Sequence, residues 1–403
     1  MNDTHILTDE RHADALQDLR PDPNIENILT AGKNSRALGV ILIVLFIGIL
    51  LSFLVNFGLS AYLGSEELVD TYYDGKEHPS IVFQGFADTF YLSENIRQNI
   101  IRVDYYLFRR LPTDSVLLGK DEFLFPTYDE ENDYDYVADY LGELYHDSEK
   151  LNKYYLSVLD ITNAYEELGV NCYFVIIPNS QTVYPENMPD FMGHTSERTR
   201  LVSVSNYLAR RSVTNFLNLT DPLVRAKDEG ELYNNTENSL SSRGAYYAYL
   251  ATLNILPQDV KRSVIQIRLN DNDLVLHRAT GKELARAASL ETIIKNRTVS
   301  LSADFVQKYQ ILLRYDNYDM AFAKMLYKDE LPDSPRVAFK FSDEWDRIIM
   351  IDYFSNTFGT TIYSSSLDFD TQMINKTSPD YMIFFIHENA LERLVDGSML
   401  PKN

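Results

Sequence analysis

The chain has one cysteine, Cys172, and one tryptophan, Trp345, among its 403 residues. A single cysteine excludes an intramolecular disulfide framework and any cysteine-rich metal site. Cationic side chains are scarce too: 37 Lys and Arg stand against 59 Asp and Glu, a formal charge of -22. Nucleic-acid binders neutralise phosphates with a basic face, so that class is disfavoured, as is close binding to an acidic glycan. The seven histidines leave little for metal chemistry. His146, His194, His277 and His387 stand far apart, none paired at metal-ligand spacing. The phosphate loop and the HExxH, GxGxxG and GxSxG patterns are all missing. Phosphate-loop, zinc-protease, dinucleotide and nucleophile-elbow readings therefore lose direct support.

What is present is the composition of a folded protein, 45% hydrophobic and 24% charged. Cys172, inside NCYFVII, reads as a buried small hydrophobe. No charge occurs from Ala37 to Ser65, and Leu38 to Val55 is almost wholly apolar. About 20 such residues suffice to cross a bilayer, which predicts a transmembrane helix over 37–59. Lys33 and Arg36 precede the run; Glu66, Glu67, Asp70 and Asp74 follow it. The positive-inside tendency then makes residues 1–36 a disordered cytoplasmic tail and the C-terminal part extracellular, at a cell membrane crossed once. Residues 60–112 are expected to form a juxtamembrane segment and 113–396 the folded domain.

Within that domain, periodicity predicts one long or two joined helices over 135–168, ended by Gly169. A continuous apolar strand over 172–177 follows, of the kind buried on both faces of a parallel sheet. Helices are expected near 197–216, 243–253, 346–357 and 390–394, and strands near 217–219, 337–341, 360–363 and 381–386. Residues 260–300 are ambiguous, with a strand candidate at 264–267 and a helix candidate at 282–288. The alternation indicates an α/β architecture with a mostly parallel sheet.

Two places mark a site. Residues 233–250 put a polar loop before Gly244 and a helix, and loops at strand ends of α/β sheets are where ligands normally bind. Ser342 follows the apolar strand 337–341 at a strand-to-helix turn, where a nucleophile is exposed and helix N–H groups stabilise an oxyanion. The plainer role there is capping of the next helix by Ser342 or Asp343.

Five stretches, in order, resemble the SGNH-hydrolase-like domain of the alginate O-acetylation and DHHW proteins: LLGKDEFLF (117–125), FVIIPNSQTVYPENMP (174–189), TENSLSSRGAYYAYL (236–250), VAFKFSDEW (337–345) and SPDYMIFFIHENALERL (378–394). The resemblance implies a three-layer α/β domain and serine-dependent transfer or removal of acetyl groups on a cell-surface polysaccharide. It also implies work beside a membrane acyltransferase, with no cofactor or metal. The catalytic positions depart from the family pattern. Its aspartate falls on Glu237, the next position on Asn238, its base histidine on Ser239 and its Trp on Leu240. The nucleophile position matches Ser342, with Phe341 before it and Asp343 after it in place of an acid and an aromatic. The lysine position falls on Gln181. The candidate catalytic set is thus Ser342, Glu237, Ser239 and, as a substitute base, His387. The candidate substrate-binding set is Gln181, Tyr184, Asn238 and Arg243.

A serine hydroxyl does not accept a proton near neutral pH as imidazole does. The expectation is therefore a scaffold that has lost normal catalysis and acts in polysaccharide modification or assembly. The alternative is an active O-acetyltransferase or acetylesterase using Ser342 with a non-standard base.

Overall fold

The computed structural model describes residues 43–48, 51, 93–193, 195–310, 314–316, 323–327, 331 and 333–401. The chain separates into two units, Met1–Ile100 and Ile101–Asn403. Described parts of the first are helical residues at 43–48 and 51 and the opening of the helix Ser93–Phe108.

The expected N-terminal transmembrane helix is corrected here. Among the described residues no helix is long and apolar enough to cross a membrane. An apolar run is necessary for a span, but a bilayer also requires about 20 residues in one continuous helix. Of 37–59, only 43–48 and 51 are described as helical; the rest, with 1–36 and 60–92, lies outside the described residues. The membrane descriptors, the cytoplasmic tail and the extracellular placement rested on that span and are withdrawn with it.

The second unit is built on a seven-stranded sheet. Its strands are β1 (Asn171–Ile177), β2 (Phe216–Asn218), β3 (Arg314–Asp316), β4 (Ala323–Tyr327), β5 (Arg336–Phe341), β6 (Thr360–Ser364) and β7 (Tyr381–His387). They lie in the order β2-β1-β7-β5-β6-β4-β3. The neighbours from β2 to β6 are parallel, while β4 runs antiparallel to both β6 and β3. The α/β class with a mostly parallel sheet is therefore present.

The apolar runs in β1 and β7 follow from burial on both faces. Met382, Phe384 and Ile386 of β7 face a core completed by α1 (Ser148–Glu166), α2 (Arg200–Arg210) and the later α5 (Thr371–Thr377). Ile383 and Phe385 face the other core, under α3 (Ser242–Ile255) and α4 (Glu344–Phe354). Aromatic stacking dominates this second core. Phe339 of β5 packs its ring 4.4 Å from Phe354 and 5.3 Å from Tyr363, centroid to centroid.

Local structure has local causes. The helical stretch 135–168 takes the two-helix form among those expected, Tyr136–Tyr140 and α1. The break is made by Asp147, whose carboxylate caps α1 by accepting from the Lys150 N–H at 2.8 Å. Gly169, at φ +76, takes the left-handed turn that leads into β1. No strand forms at 264–267. Instead Leu274–Ala279 pairs antiparallel with Asn296–Leu301.

Phe339 is fully buried, so Phe339→Ala is expected to destabilise the domain by about 3–5 kcal/mol. Denaturant unfolding checks this, and a loss below about 1 kcal/mol would contradict the aromatic core described.

Candidate active site

Parallel pairing brings β5 and β7 into register, with Phe341 opposite Phe385. The residue after β5 is Ser342, and its N–H donates to the Phe385 carbonyl at 3.0 Å, adding one rung to the ladder. The next bond is made by a side chain: Ser342 Oγ accepts from the His387 N–H at 2.8 Å. Asp343 then caps α4, its carboxylate accepting from the N–H groups of Trp345 and Asp346 at 2.8 and 3.1 Å. The capping role expected at this turn thus belongs to Asp343, which leaves the half-buried Ser342 hydroxyl proton unused by that cap.

One turn along α4, Asp346 points inward. Its Oδ2 lies 3.6 Å from His387 Nε2, with side-chain exposures of 2% and 7%. Burial pushes the Asp346 carboxyl well up, the charge of Asp343 adds to this, and the Leu240 N–H opposes it. Burial pushes the His387 imidazole down, against the attraction of Asp343 and Asp129 for its charged form. The result is a neutral imidazole beside a buried carboxyl, at the same strand end as Ser342. The Asn389 side chain beside the ring also favours its charged form, and Nδ1 is buried.

The loop 234–240 forms the opposite wall. It is pinned by the bridge between Tyr233 and Leu240 and by a bond from Asn234 N–H to the Ser239 carbonyl at 3.0 Å. Gly244 is required just beyond: a Cβ there would come within 2.1 Å of the Leu232 carbonyl oxygen. Ser239 donates to Glu237 Oε2 at 3.1 Å, and Asn234 Nδ2 donates to Ser239 Oγ at 2.9 Å. Lys282 Nζ stands 3.7 Å from the other Glu237 oxygen. Burial raises the Glu237 pKa while Lys282 and Ser239 pull it down. Asn238 is held at both ends, accepting from the Ser180 N–H at 2.7 Å and donating to Asn179 Oδ1 at 2.9 Å.

A cleft of about 1060 Å³ brings Ser342, His387, Glu237, Asn238 and Ser239 together, with Trp345 at its wall. Three other candidates do not line it. Gln181 is buried, with an unpartnered Oε1 among the described residues. The Tyr184 hydroxyl accepts from the Leu232 N–H at 3.0 Å. Arg243 packs against Gly230. Among the described residues no group of three or more His, Cys, Asp or Glu side chains is placed to hold a metal ion.

Sequence reasoning missed Asp346 and Glu388. The signal for Asp346 was its place one helical turn after Ser342. Glu388 follows His387 and is buried; its Oε2 accepts from the Asn179 N–H at 2.7 Å and from Thr182 Oγ1 at 2.8 Å. It thereby fixes the segment that holds Asn238. Burial, with the charge of Asp139, raises its pKa from 4.5 to about 8. A raised carboxyl pKa favours the folded state in its neutral form. That contribution is complete below about pH 4.5 and is lost as the pH rises to about 8. Urea unfolding at pH 5 and pH 8 should therefore show a steeper loss of stability for the wild type than for Glu388→Gln. Identical slopes would contradict a neutral buried Glu388.

No protein-family model matches the chain, and no curated protein matches it. Solved structures similar to it include the O-acetyltransferase domain of Pseudomonas putida AlgJ. That similarity has 12% identity and a TM-score of 0.43, covering 69% of this chain and 92% of that one. A DHHW family protein from Eubacterium siraeum is similar at 12% identity and TM-score 0.45, over 64% of this chain and 92% of that one. Bacillus cereus PatB1 is similar at 12% identity and TM-score 0.43, over 69% and 97% respectively. These values are too low to assign a family.

Proposed function

We propose that the domain is a serine-dependent O-acetyltransferase or acetylesterase acting on a polysaccharide, with Ser342 as nucleophile and His387 as its base. The observation that carries this reading is the geometry of the buried His387 imidazole, 3.6 Å from the buried Asp346 carboxyl and on the residue whose N–H meets Ser342 Oγ at 2.8 Å. Nucleophile, base and orienting group are recognised by roles rather than by sequence positions, and here the base comes from the end of β7.

The chemistry follows from those groups. Ser342 Oγ attacks the acetyl carbonyl carbon as its proton passes to the imidazole, and the group that carried the acetyl, the polysaccharide oxygen in the esterase form or the donor's in the transferase form, leaves with that proton. The acetyl-serine is then resolved by water, giving acetate, or by another sugar hydroxyl, giving transfer. In the resting geometry Oγ accepts from the His387 amide, so its own proton is free to be given. The reading requires the imidazole to turn onto Oγ when substrate enters, as apo catalytic bonds commonly do. Under the transferase form, a membrane acyltransferase would be the partner that supplies acetyl groups.

A second, non-catalytic reading, a glycan-binding or assembly role, is favoured by one observation. Ser239, at the resembling motif's histidine position, is locked between Asn234 and Glu237. Hydrolysis of a chromogenic acetyl ester separates the two. Ser342→Ala should abolish turnover, and His387→Gln should reduce it about 10²–10⁴-fold. If Glu237→Gln rather than His387→Gln removes the Ser342-dependent rate, the base is the carboxylate. Equal rates for wild type and Ser342→Ala would leave the non-catalytic reading.

A further inference from the structure

The hairpin of Tyr128–Asp129 with Tyr134–Asp135 brings a carboxylate, Asp129, to the cleft beside the end of β7. Asp129 Oδ1 accepts from the N–H groups of Glu131 and Asn132 at 3.0 and 3.3 Å, and Oδ2 accepts from Asn132 Nδ2 at 2.8 Å. A further donor comes from the other end of the domain: Asn389 Nδ2 reaches Asp129 Oδ2 at 2.6 Å. All these partners are donors, so the carboxylate acts as an acceptor throughout.

That fixes the amide of Asn389. An acceptor turns the NH2 end of the amide toward itself, which leaves Oδ1, an acceptor only, on the other side. Asn389 Oδ1 is buried and has no partner elsewhere among the described residues. The Asn389 side chain stands beside the His387 ring. Against the effect of burial it favours the charged imidazole, as an oxygen accepting from a ring N–H does. His387 Nδ1 is buried as well and has no partner elsewhere among the described residues. A buried acceptor and a buried ring nitrogen are each costly alone, and each removes the other's cost when the nitrogen carries hydrogen.

We infer that Asn389, held by Asp129, is the positioning residue that sets the tautomer of His387: Nδ1 carries the hydrogen, facing Asn389 Oδ1, and Nε2 keeps the lone pair that receives the Ser342 proton. The inference rests on the reading of His387 as the base and adds what selects its reactive nitrogen. As Ser342 Oγ attacks, its proton moves to Nε2 while Nδ1–H stays on Asn389. That proton then leaves with the departing oxygen, and the same tautomer returns. In the opposite tautomer Nε2 already carries hydrogen and accepts nothing, so the partner of the other ring nitrogen matters to rate. Asp346 Oδ2, 3.6 Å from Nε2, lies on the side of the ring where the new proton arrives. The two neighbours thus divide the work, Asn389 holding the ring hydrogen before reaction and Asp346 facing the cation formed by it.

The tautomer is read by NMR of the full chain carrying nitrogen-15 histidine, at a pH above the titration of the ring. The spectrum of His387→Gln identifies which of the seven histidine signals belongs to His387. The expected pattern is a protonated Nδ1 and an unprotonated Nε2. Asn389→Leu, similar in size but without the acceptor, should convert His387 to the Nε2–H or a mixed form. Asp129→Asn, a change at a distance from the ring, should give a mixture, because an amide there lets the Asn389 amide turn over. Asn389→Asp restores an acceptor and should return Nδ1–H, with the ring titrating at a higher pH than in Asn389→Leu. The charged groups that face the ring from other elements, Asp343 and Asp346 on α4 and Asp129 on the hairpin, are the same in that pair of variants. In ester turnover Asn389→Leu should lower kcat by about 10²-fold, with KM changed less than about twofold, and Asn389→Asp should recover part of the rate. An Nε2–H tautomer in the wild type would overturn the inference and give the orienting role to Asp346. An unchanged tautomer in Asn389→Leu would overturn it as well. The expected tautomers without Ser342-dependent turnover would refute the catalytic reading alone.

Discussion

The site depends on one backbone constraint, the parallel pairing of β5 with β7. Two strands whose ends are in register deliver Ser342 and His387 to one edge of the sheet, where the final rung is made by Ser342 Oγ and the His387 N–H at 2.8 Å. Helix α4 starts from the same point and carries Asp346 back against the imidazole. The backbones of Ser342 and His387 are tied by this pairing and the start of α4 by the Asp343 cap, on elements packed between the two cores. Sites built on such elements are held more precisely than sites on free loops.

Burial then decides protonation. A carboxyl and an imidazole removed from water both shift toward their neutral forms, which is the state a general base needs before reaction. Once the imidazole takes a proton, the neighbouring carboxyl has reason to ionise, and the pair stabilises the charge that the reaction creates. Glu237 is a weaker candidate for the same role. It is raised by burial but already accepts from Ser239 and Asn234 and faces Lys282. The loop 234–240 is occupied by a closed hydrogen-bond network among Asn234, Glu237 and Ser239.

Much of the architecture was legible because parallel strands buried on both faces leave continuous apolar runs. NCYFVII and YMIFFIH are β1 and β7, and the Ser342 turn followed from the run before it. The short strands β3 and β4 and the hairpin of 274–279 with 296–301 left no such trace, since strands of mixed polarity resemble loops. The apolar run at 37–59 gave an expectation that the described helices do not support. At the site, Ser342, Glu237, Asn238, Ser239 and His387 do share the cleft, because strand ends and the loop before Gly244 converge there. Gln181, Tyr184 and Arg243 were carried by motif position alone, and their side chains are spent on internal packing. Glu388 left no trace because burial after a strand is a tertiary fact, and the spacing of Asp346 from Ser342 placed it one helical turn on without stating that it points inward.

The central claim is that the Ser342 hydroxyl is activated by His387, and covalent trapping tests it most directly. A sulfonyl fluoride reacts with an activated serine and leaves a stable sulfonyl ester, located by peptide mass spectrometry. The account predicts a single labelled site at Ser342 in the wild type and loss of that label in His387→Gln. Labelling of Ser342 that is undiminished in His387→Gln, or no label on Ser342 in the wild type, would contradict it.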